Sequence, residues 1–420
     1  MRIVSLETFL TNARLRNYLF IRLTTDTGVT GVGEASLEWQ EETVQTLIHE
    51  WVEDRVIGAD PFEIERVIGE MIRNQYQGGP TVMTAISGVE IAFWDIVGKE
   101  CGQPVYKLLG GRCHDRMPAY ANGWYGRAAT GQEYAERARE AVARGYRALK
   151  FDPFGVAWKE MSREEMDEAE GIVDAVRGAV GDRVALMIEV HGRLSVRCAI
   201  EMGRRIEKYR PFWYEEPVAP NSLELLKEVK DALPLRIAAG ERLYSQEEFY
   251  RLTAMRAADV VQMDVSHCGG LLAAKKIAAM AAAQDITVAP HCSVGPVALC
   301  AALHFGWSTP NVYIQEDFSD FDVPWRSDMV CGWNHAKHGE FGVPEGPGLG
   351  IDLDTKVLAG HPYSKNGFPS LWEREWLERF TPSDDGAADR VMDRSGEERL
   401  ASSRSEDAGL PVPDPPGALH

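Results

Sequence analysis

Apolar and polar positions follow two different rhythms along the chain, and the change comes near residue 116. Residues 3–11 and 18–25 are rich in β-branched and aromatic side chains, and Asp26-Thr27-Gly28 turns the second run into 29–35. That pattern predicts a three-stranded meander. Helical spacing follows over 41–56 and 61–74, the latter with Asp60 as N-cap and Pro61 at the first helical position. Gln77-Gly78-Gly79-Pro80 breaks the pattern before a long apolar helix over 82–100, which Gly102 and Pro104 stop. Strands followed by helices, without alternation, make an α+β domain of residues 1–116.

From Met117 strand and helix alternate. Apolar runs fall at 117–120, 148–151, 186–188, 213–214, 236–238, 260–263, 287–289 and 312–315. Helical stretches lie between them: 132–144, closed by Gly145; 246–256, opened by Ser245 with Glu248 in capping-box register; and 297–307. Eight strands with return helices predict a (β/α) barrel over 117–348 and an α/β fold class for the whole. A doubly wound sheet is the alternative. Polar residues at nearly every strand end favour the closed form, whose chemistry gathers at those ends.

Three of these ends carry glutamates. Glu189, Glu215 and Glu241 stand 26 residues apart twice running (189 to 215, 215 to 241), about one strand plus one return helix. Each acid therefore recurs at the same end of a neighbouring parallel strand. Three converging carboxylates with no cysteine beside them describe a hard-cation site, for which Mg²⁺ is the first choice and Mn²⁺ a substitute. The competing reading pairs each acid with a nearby base, such as Glu241 with Arg242. Other strand ends offer Lys150 and Asp152 on one face, then Asp264, Ser266 and His267, then His291, then Glu316. Asp264 on the neighbouring strand can fix the tautomer of His291 and raise its basicity, making it a general base.

Composition narrows the partners. A net charge of −19 with no basic stripe argues against nucleic acid and anionic membrane. A small anionic substrate fits if a metal and local cations receive it. Seven cysteines, an odd number without a CxxC pair, suit reduced thiols in a cytoplasmic protein. Arg2, Glu7, Arg14 and Arg16 interrupt the start of the chain, so neither signal peptide nor membrane span is expected. Residues 381–420, rich in Ser, Asp, Glu, Gly and Pro, read as a disordered tail.

Together, Glu189, Glu215, Glu241, Asp264, His291 and Glu316 resemble the mandelate-racemase branch of the enolase superfamily. Glu189-Val190-His191-Gly192-Arg193 is similar to the acid-x-His-Gly-Arg motif of galactonate dehydratases. Ala121-Asn122-Gly123-Trp124-Tyr125 and Ala148-Leu149-Lys150-Phe151-Asp152-Pro153-Phe154-Gly155 resemble gluconate dehydratases. The likeness runs to about residue 380. It implies that residues 1–116 cap the barrel mouth, that 349–380 pack back on this cap, and that the chain forms a homo-oligomer, a dimer or an octamer.

The same resemblance implies a reaction. Mg²⁺ on Glu189, Glu215 and Glu241 would stabilise an enediolate, His291 with Asp264 would remove the C2 proton, and His191 would protonate the departing C3 hydroxyl. Lys150 would balance the substrate carboxylate, and Glu316, protonated, would donate to its other oxygen. Many relatives carry Lys-x-Lys on the second strand, where this chain has Asp152 in place of the second lysine. Loss of that opposed base favours elimination over racemisation. Glu189 replaces the aspartate of galactonate dehydratases and matches gluconate dehydratases. The expected activity is dehydration of an aldonic acid, D-gluconate first, then D-galactonate or a pentonate such as xylonate. A cycloisomerase or epimerase of acid sugars, or a silent sugar-acid binder, are the alternatives. Candidate substrate contacts are Lys150, Asp152, Arg193 and Trp124 on the barrel, and Trp39 and Tyr76, beside Glu38 and Gln77, on the cap.

Overall fold

The computed structural model describes residues 1–365 apart from Leu15, Gln77, Arg127, Trp333 and Asn334. The expected tail at 381–420 and the 366–380 part of the C-terminal segment lie outside them. The chain opens with an antiparallel sheet of β1 (Ile3–Ala13), β2 (Arg16–Thr25) and β3 (Thr30–Glu34), in that order. α1 (Glu41–Leu47) continues through a π turn, Ile48–Val52, into α2 (Glu53–Val56), and α3 (Ile64–Asn74) and α4 (Pro80–Glu100) follow. α3 begins three residues later than its sequence pattern predicts. The Asp60 carboxylate accepts from Phe62 N–H at 3.0 Å and the Asp60 carbonyl from Glu63 N–H at 3.0 Å, so these residues form a turn and not the first helical coil. α4 has the length and apolarity of a membrane span, but 83% of its apolar window is buried inside the protein. It is the central helix of the cap.

After the short α5 (Val105–Leu108) the barrel begins. Its elements are β4 (Met117–Ala121), α6 (Gly131–Ala143), β5 (Ala148–Phe151), α7 (Arg163–Val180), β6 (Ala185–Glu189), α8 (Val196–Ile206), β7 (Trp213–Glu215) and α9 (Leu223–Ala232). They continue as β8 (Ile237–Ala239), α10 (Gln246–Ala254), β9 (Val260–Val261), α11 (Leu271–Ala282), β10 (Thr287–Val288), α12 (Pro296–Trp307) and β11 (Gln315–Asp317). Capping boxes start α6 (Thr130, Glu133), α7 (Ser162, Glu165) and α10 (Ser245, Glu248), satisfying N–H groups that the first helical turn leaves open. The parallel strands pair in the order β10-β9-β8-β7-β6-β5-β4-β11. The ring closes ahead of β11, where Tyr313 N–H donates to Val288 O at 2.8 Å and Val288 N–H to Asn311 O at 2.9 Å. The apolar run at 312–315 is thus split. Its first part closes the barrel against β10, and pairing with β4 begins only at Gln315.

Alternation along these strands sorts the interior into layers. Tyr120, Ala148, Met187, Trp213, Ala238, Val260, Ala289 and Ile314 meet as one buried cluster in the barrel centre. With a side-chain period of 2, the next inward position on each strand lies two residues on: Asn122, Lys150, Glu189, Glu215, Gly240, Gln262, His291 and Glu316. An apolar floor carries a ring of polar side chains at the C-terminal mouth.

Cap and barrel are joined by buried carboxylates at helix starts. Glu34, at the end of β3, accepts from Gly295 N–H at 2.5 Å and Ala298 N–H at 2.9 Å, the start of α12. Glu90, in α4, accepts from Leu271 N–H at 2.8 Å and Leu272 N–H at 3.0 Å, the start of α11. Such acids satisfy orphan N–H groups and favour the positive helix end. A Cβ at Gly270, which holds φ +89°, would run into the Glu90 carboxylate. The C-terminal segment adds a third tie, since Leu349 N–H donates to Asp95 of α4 at 2.7 Å and Asn12 N–H to His361 O at 2.7 Å. Replacing Glu90 by Ala is expected to lower the unfolding free energy by about 2 kcal/mol, read by guanidinium unfolding. An unchanged midpoint would show that these caps do not hold the two parts together.

Candidate active site

Backbone pairing sets the site. Glu189 and Glu215 are register partners in the β6–β7 ladder, so both side chains point inward side by side. Gly240, with φ +142°, gives the ring no side chain, and Glu241 follows it at the end of β8. One carboxylate oxygen from each of Glu189, Glu215 and Glu241 lies within 4.8 Å of the others. Like charges this close repel strongly in a buried setting. Burial first, and the Glu215 charge second, push the Glu189 carboxyl up to about 8. Burial pushes Glu241 up to about 7 against the opposing pull of His291.

Lys150 offsets part of this repulsion. Its Nζ donates to Glu215 Oε1 at 2.8 Å and lies 3.0 Å from Glu316 Oε1 and 3.4 Å from Glu189 Oε2. Burial alone would lower the ammonium pKa, but Glu215 and Glu316 outweigh it and hold it well above its ordinary value. Trp213 Nε1 donates to Glu215 Oε2 at 2.8 Å, and His191 N–H to Glu189 Oε1 at 2.7 Å. Glu189 Oε2 is buried without a hydrogen-bond partner. A buried carboxylate oxygen that makes no hydrogen bond and has only the Lys150 ammonium at 3.4 Å, in a residue clustered with two other acids, fits a hard cation, which takes oxygen ligands and neutralises them.

Each imidazole has its own carboxylate. Asp264 and His291 pair as an isolated parallel bridge that continues the β9–β10 ladder, and Asp264 Oδ2 stands 2.8 Å from His291 Nδ1. The other ring nitrogen, Nε2, faces the cluster at 3.5 Å from Glu241 and 3.9 Å from Glu316. Burial would lower the His291 pKa, but Glu241, Glu316 and Asp264 together raise it to about 10. Burial likewise works against Asp264, yet His267, His291 and Ser266 hold it at about 2. His191, at φ +54°, turns its Nδ1 to Asp152 Oδ2 at 2.8 Å. His267 Nε2 meets the Ser36 carbonyl of the cap at 2.9 Å and serves the domain contact.

Residues 4–110 match the mandelate racemase/muconate lactonizing enzyme N-terminal domain, and residues 133–357 match the enolase C-terminal domain-like family. The chain belongs to the mandelate racemase/muconate lactonizing enzyme group of the enolase superfamily. It is 36% identical to a D-gluconate dehydratase of Thermoproteus tenax over 374 residues, covering 88% of this chain and 75% of that one. It is also 36% identical to a D-galactonate dehydratase of Ralstonia pickettii over 372 residues, covering 85% and 94%. A solved mandelate racemase/muconate lactonizing enzyme of Jannaschia sp. CCS1 superposes with a TM-score of 0.81 at 33% identity, covering 87% of this chain and 98% of that one.

Within this enolase-superfamily barrel several sequence expectations change. Glu316 was expected to be a neutral donor. Burial does favour that form, but Lys150, His291, Cys292 N–H at 2.8 Å and Asn122 Nδ2 at 2.8 Å outweigh it and lower the pKa to about 2, so Glu316 is ionised. Arg193 is fully buried. Its Nε donates to Val190 O at 2.8 Å and its Nη1 to Gly155 O at 2.5 Å, and Nη2 pairs with Asp152, which fixes it as a loop brace and not a substrate contact. Trp124 donates to the Lys150 carbonyl at 2.8 Å inside a ring cluster with Tyr125, Tyr134 and Phe151. Asp152 is buried between His191, Arg193 and Phe154 N–H, which removes it too from the substrate contacts.

On the cap, Trp39 is half-exposed and follows Glu38, which accepts from Ser293 Oγ at 3.1 Å. Tyr76 stands 95% exposed, so no packing ties it to the site, and Gln77 lies outside the described residues. Sequence reading missed Asn122 and Gln262, although counting two residues on from the apolar floor finds both.

The raised acids predict a pH-dependent metal effect. Folded Glu189 titrates at about 8 against an ordinary value of 4.5. The folded state therefore binds the extra proton, and metal-free stability falls as pH rises across that window. A cation needs those carboxylates ionised. Mg²⁺ added after chelator treatment is expected to raise the melting temperature by several degrees at pH 8 and little at pH 5. Equal stabilisation at both values would remove these glutamates as ligands.

Proposed function

We propose that this chain dehydrates an aldonic sugar acid to its 2-keto-3-deoxy acid, with D-gluconate first and D-galactonate or a pentonate next. The observation that carries this reading is the placement of the two imidazoles. In the strand order β10-β9-β8-β7-β6 the strands bearing His291 and His191 are four steps apart in a ring of eight, hence across the mouth from each other. The carboxylate cluster lies between them. A base on one side and an acid on the other suit removal of a proton and a hydroxyl from adjacent carbons. The named activities of the relatives support the same chemistry.

Glu189, Glu215 and Glu241 would hold Mg²⁺. When bound, the ion supplies the positive charge that makes a C–H beside a carboxylate acidic enough to lose its proton. With the Glu241 charge that raises its pKa taken up by a bound cation, His291 would be neutral, and its Nε2 takes the C2 proton while Asp264 accepts from Nδ1–H. His191 delivers a proton from Nε2 to the C3 hydroxyl, the C–O bond breaks with its electron pair going to oxygen, and water leaves. The enol product then ketonises. Lys150, held by Glu215 and Glu316 at the edge of the cluster, receives the negative end of the substrate. Seven free thiols, four of them buried, support a reducing, cytoplasmic setting.

A panel of aldonates and aldarates with added Mg²⁺, scored for 2-keto-3-deoxy acid, tests the reading. D-Gluconate is expected to give the keto acid, and His291→Asn to lower turnover by at least about 100-fold. Epimers or lactones without keto acid would overturn it.

A further inference from the structure

The two histidines are braced in the same way from opposite sides of the barrel. Asp264 lies just past β9 and holds His291, just past the neighbouring β10; Asp152 lies just past β5 and holds His191, just past the neighbouring β6. In each pair the carboxylate comes from the strand before the imidazole, and the Nδ1 to Oδ2 distance is 2.8 Å in both. Asp152 is 4% exposed and fixed on every side: Oδ1 accepts from Phe154 N–H at 2.9 Å, and Oδ2 is shared between His191 and the buried Arg193 guanidinium. Arg193 is itself anchored on the Val190 and Gly155 carbonyls, one on each of the two loops. The position where a second lysine would stand is therefore built into a bracket for the opposite histidine.

We infer that Asp152, clamped by Arg193, is the positioning residue for the acid arm: it fixes the His191 ring so that Nε2 points at the leaving hydroxyl, and it acts on C–O cleavage without acting on C2–H removal. This rests on the dehydratase reading above. His191 gives up its Nε2 proton as the C3–O bond breaks, keeps Nδ1–H on Asp152, and is reprotonated by solvent after water departs. Fixed orientation matters because a general acid acts only from within hydrogen-bond reach of the group it protonates.

The test separates the two bond-breaking steps. Asp152→Asn and Asp152→Ala, with Mg²⁺ and D-gluconate in D₂O, are expected to lower the rate of keto-acid formation by about 100-fold, with KM within about threefold of the parent. Deuterium should still enter C2 of recovered gluconate. A 3-deoxy-3-fluoro aldonate is the second probe, because fluoride leaves without needing a proton. On it both variants should eliminate within about threefold of the parent rate if only acid positioning is lost. Equal losses on the hydroxyl and fluoro substrates, with C2 exchange lost as well, would overturn the inference in favour of general disruption of the site. Full turnover of D-gluconate in either variant would overturn it too. If the parent enzyme forms no keto acid from any aldonate, the failure belongs to the dehydratase reading and not to Asp152.

Discussion

One ammonium group set among three buried carboxylates is the constraint around which the barrel mouth is arranged. Lys150 forms ion pairs with Glu215, Glu316 and Glu189 within 3.4 Å but not with Glu241, so the cluster still carries excess negative charge. A protein interior tolerates such a group only when it is compensated. Here compensation comes from protons on Glu189 and Glu241, from His291 in its charged form, or from an added cation. The ionised state of Glu316 follows from the same balance, since it shares Lys150 with Glu215 and Glu189 and also accepts from the Cys292 N–H and Asn122.

The fold makes this cluster nearly unavoidable once the barrel closes. An apolar ring of one side chain per strand fixes the register, and the alternating pleat then delivers the polar ring two residues further on. The cap is held over that mouth by contacts that cross the chain. Glu34 and Glu90 cap the starts of barrel helices, while Glu38 and Ser36 touch the loops that carry His291 and Asp264. Function and interdomain packing thus share the same few loops.

Much of this was legible in the sequence because it is local or periodic. The change from grouped to alternating elements gave the cap and barrel, and the equal spacing of Glu189, Glu215 and Glu241 gave their convergence. What could not be read depends on partners far along the chain. The Glu90 cap of α11 joins residues 181 apart, and no local pattern announces it. The charge of Glu316, on β11, depends on Lys150, on β5, with β4 between them. Arg193 and Asp152 read as substrate contacts because charged residues at strand ends usually face the cavity, whereas here two adjacent loops turn them toward each other. The shifted pairing of the eighth strand arises because Val312 is used to close the ring before β11 meets β4. Asp60 misled for a simpler reason, since an aspartate that opens a turn and one that caps a helix look alike in sequence.

The cation site is tested most directly by growing crystals with Mn²⁺ and locating the metal from its anomalous scattering. A single peak bounded by oxygens of Glu189, Glu215 and Glu241, with the remaining positions open to water, is the expected result. A peak elsewhere, or none at saturating Mn²⁺ with the three carboxylates still in place, would contradict it.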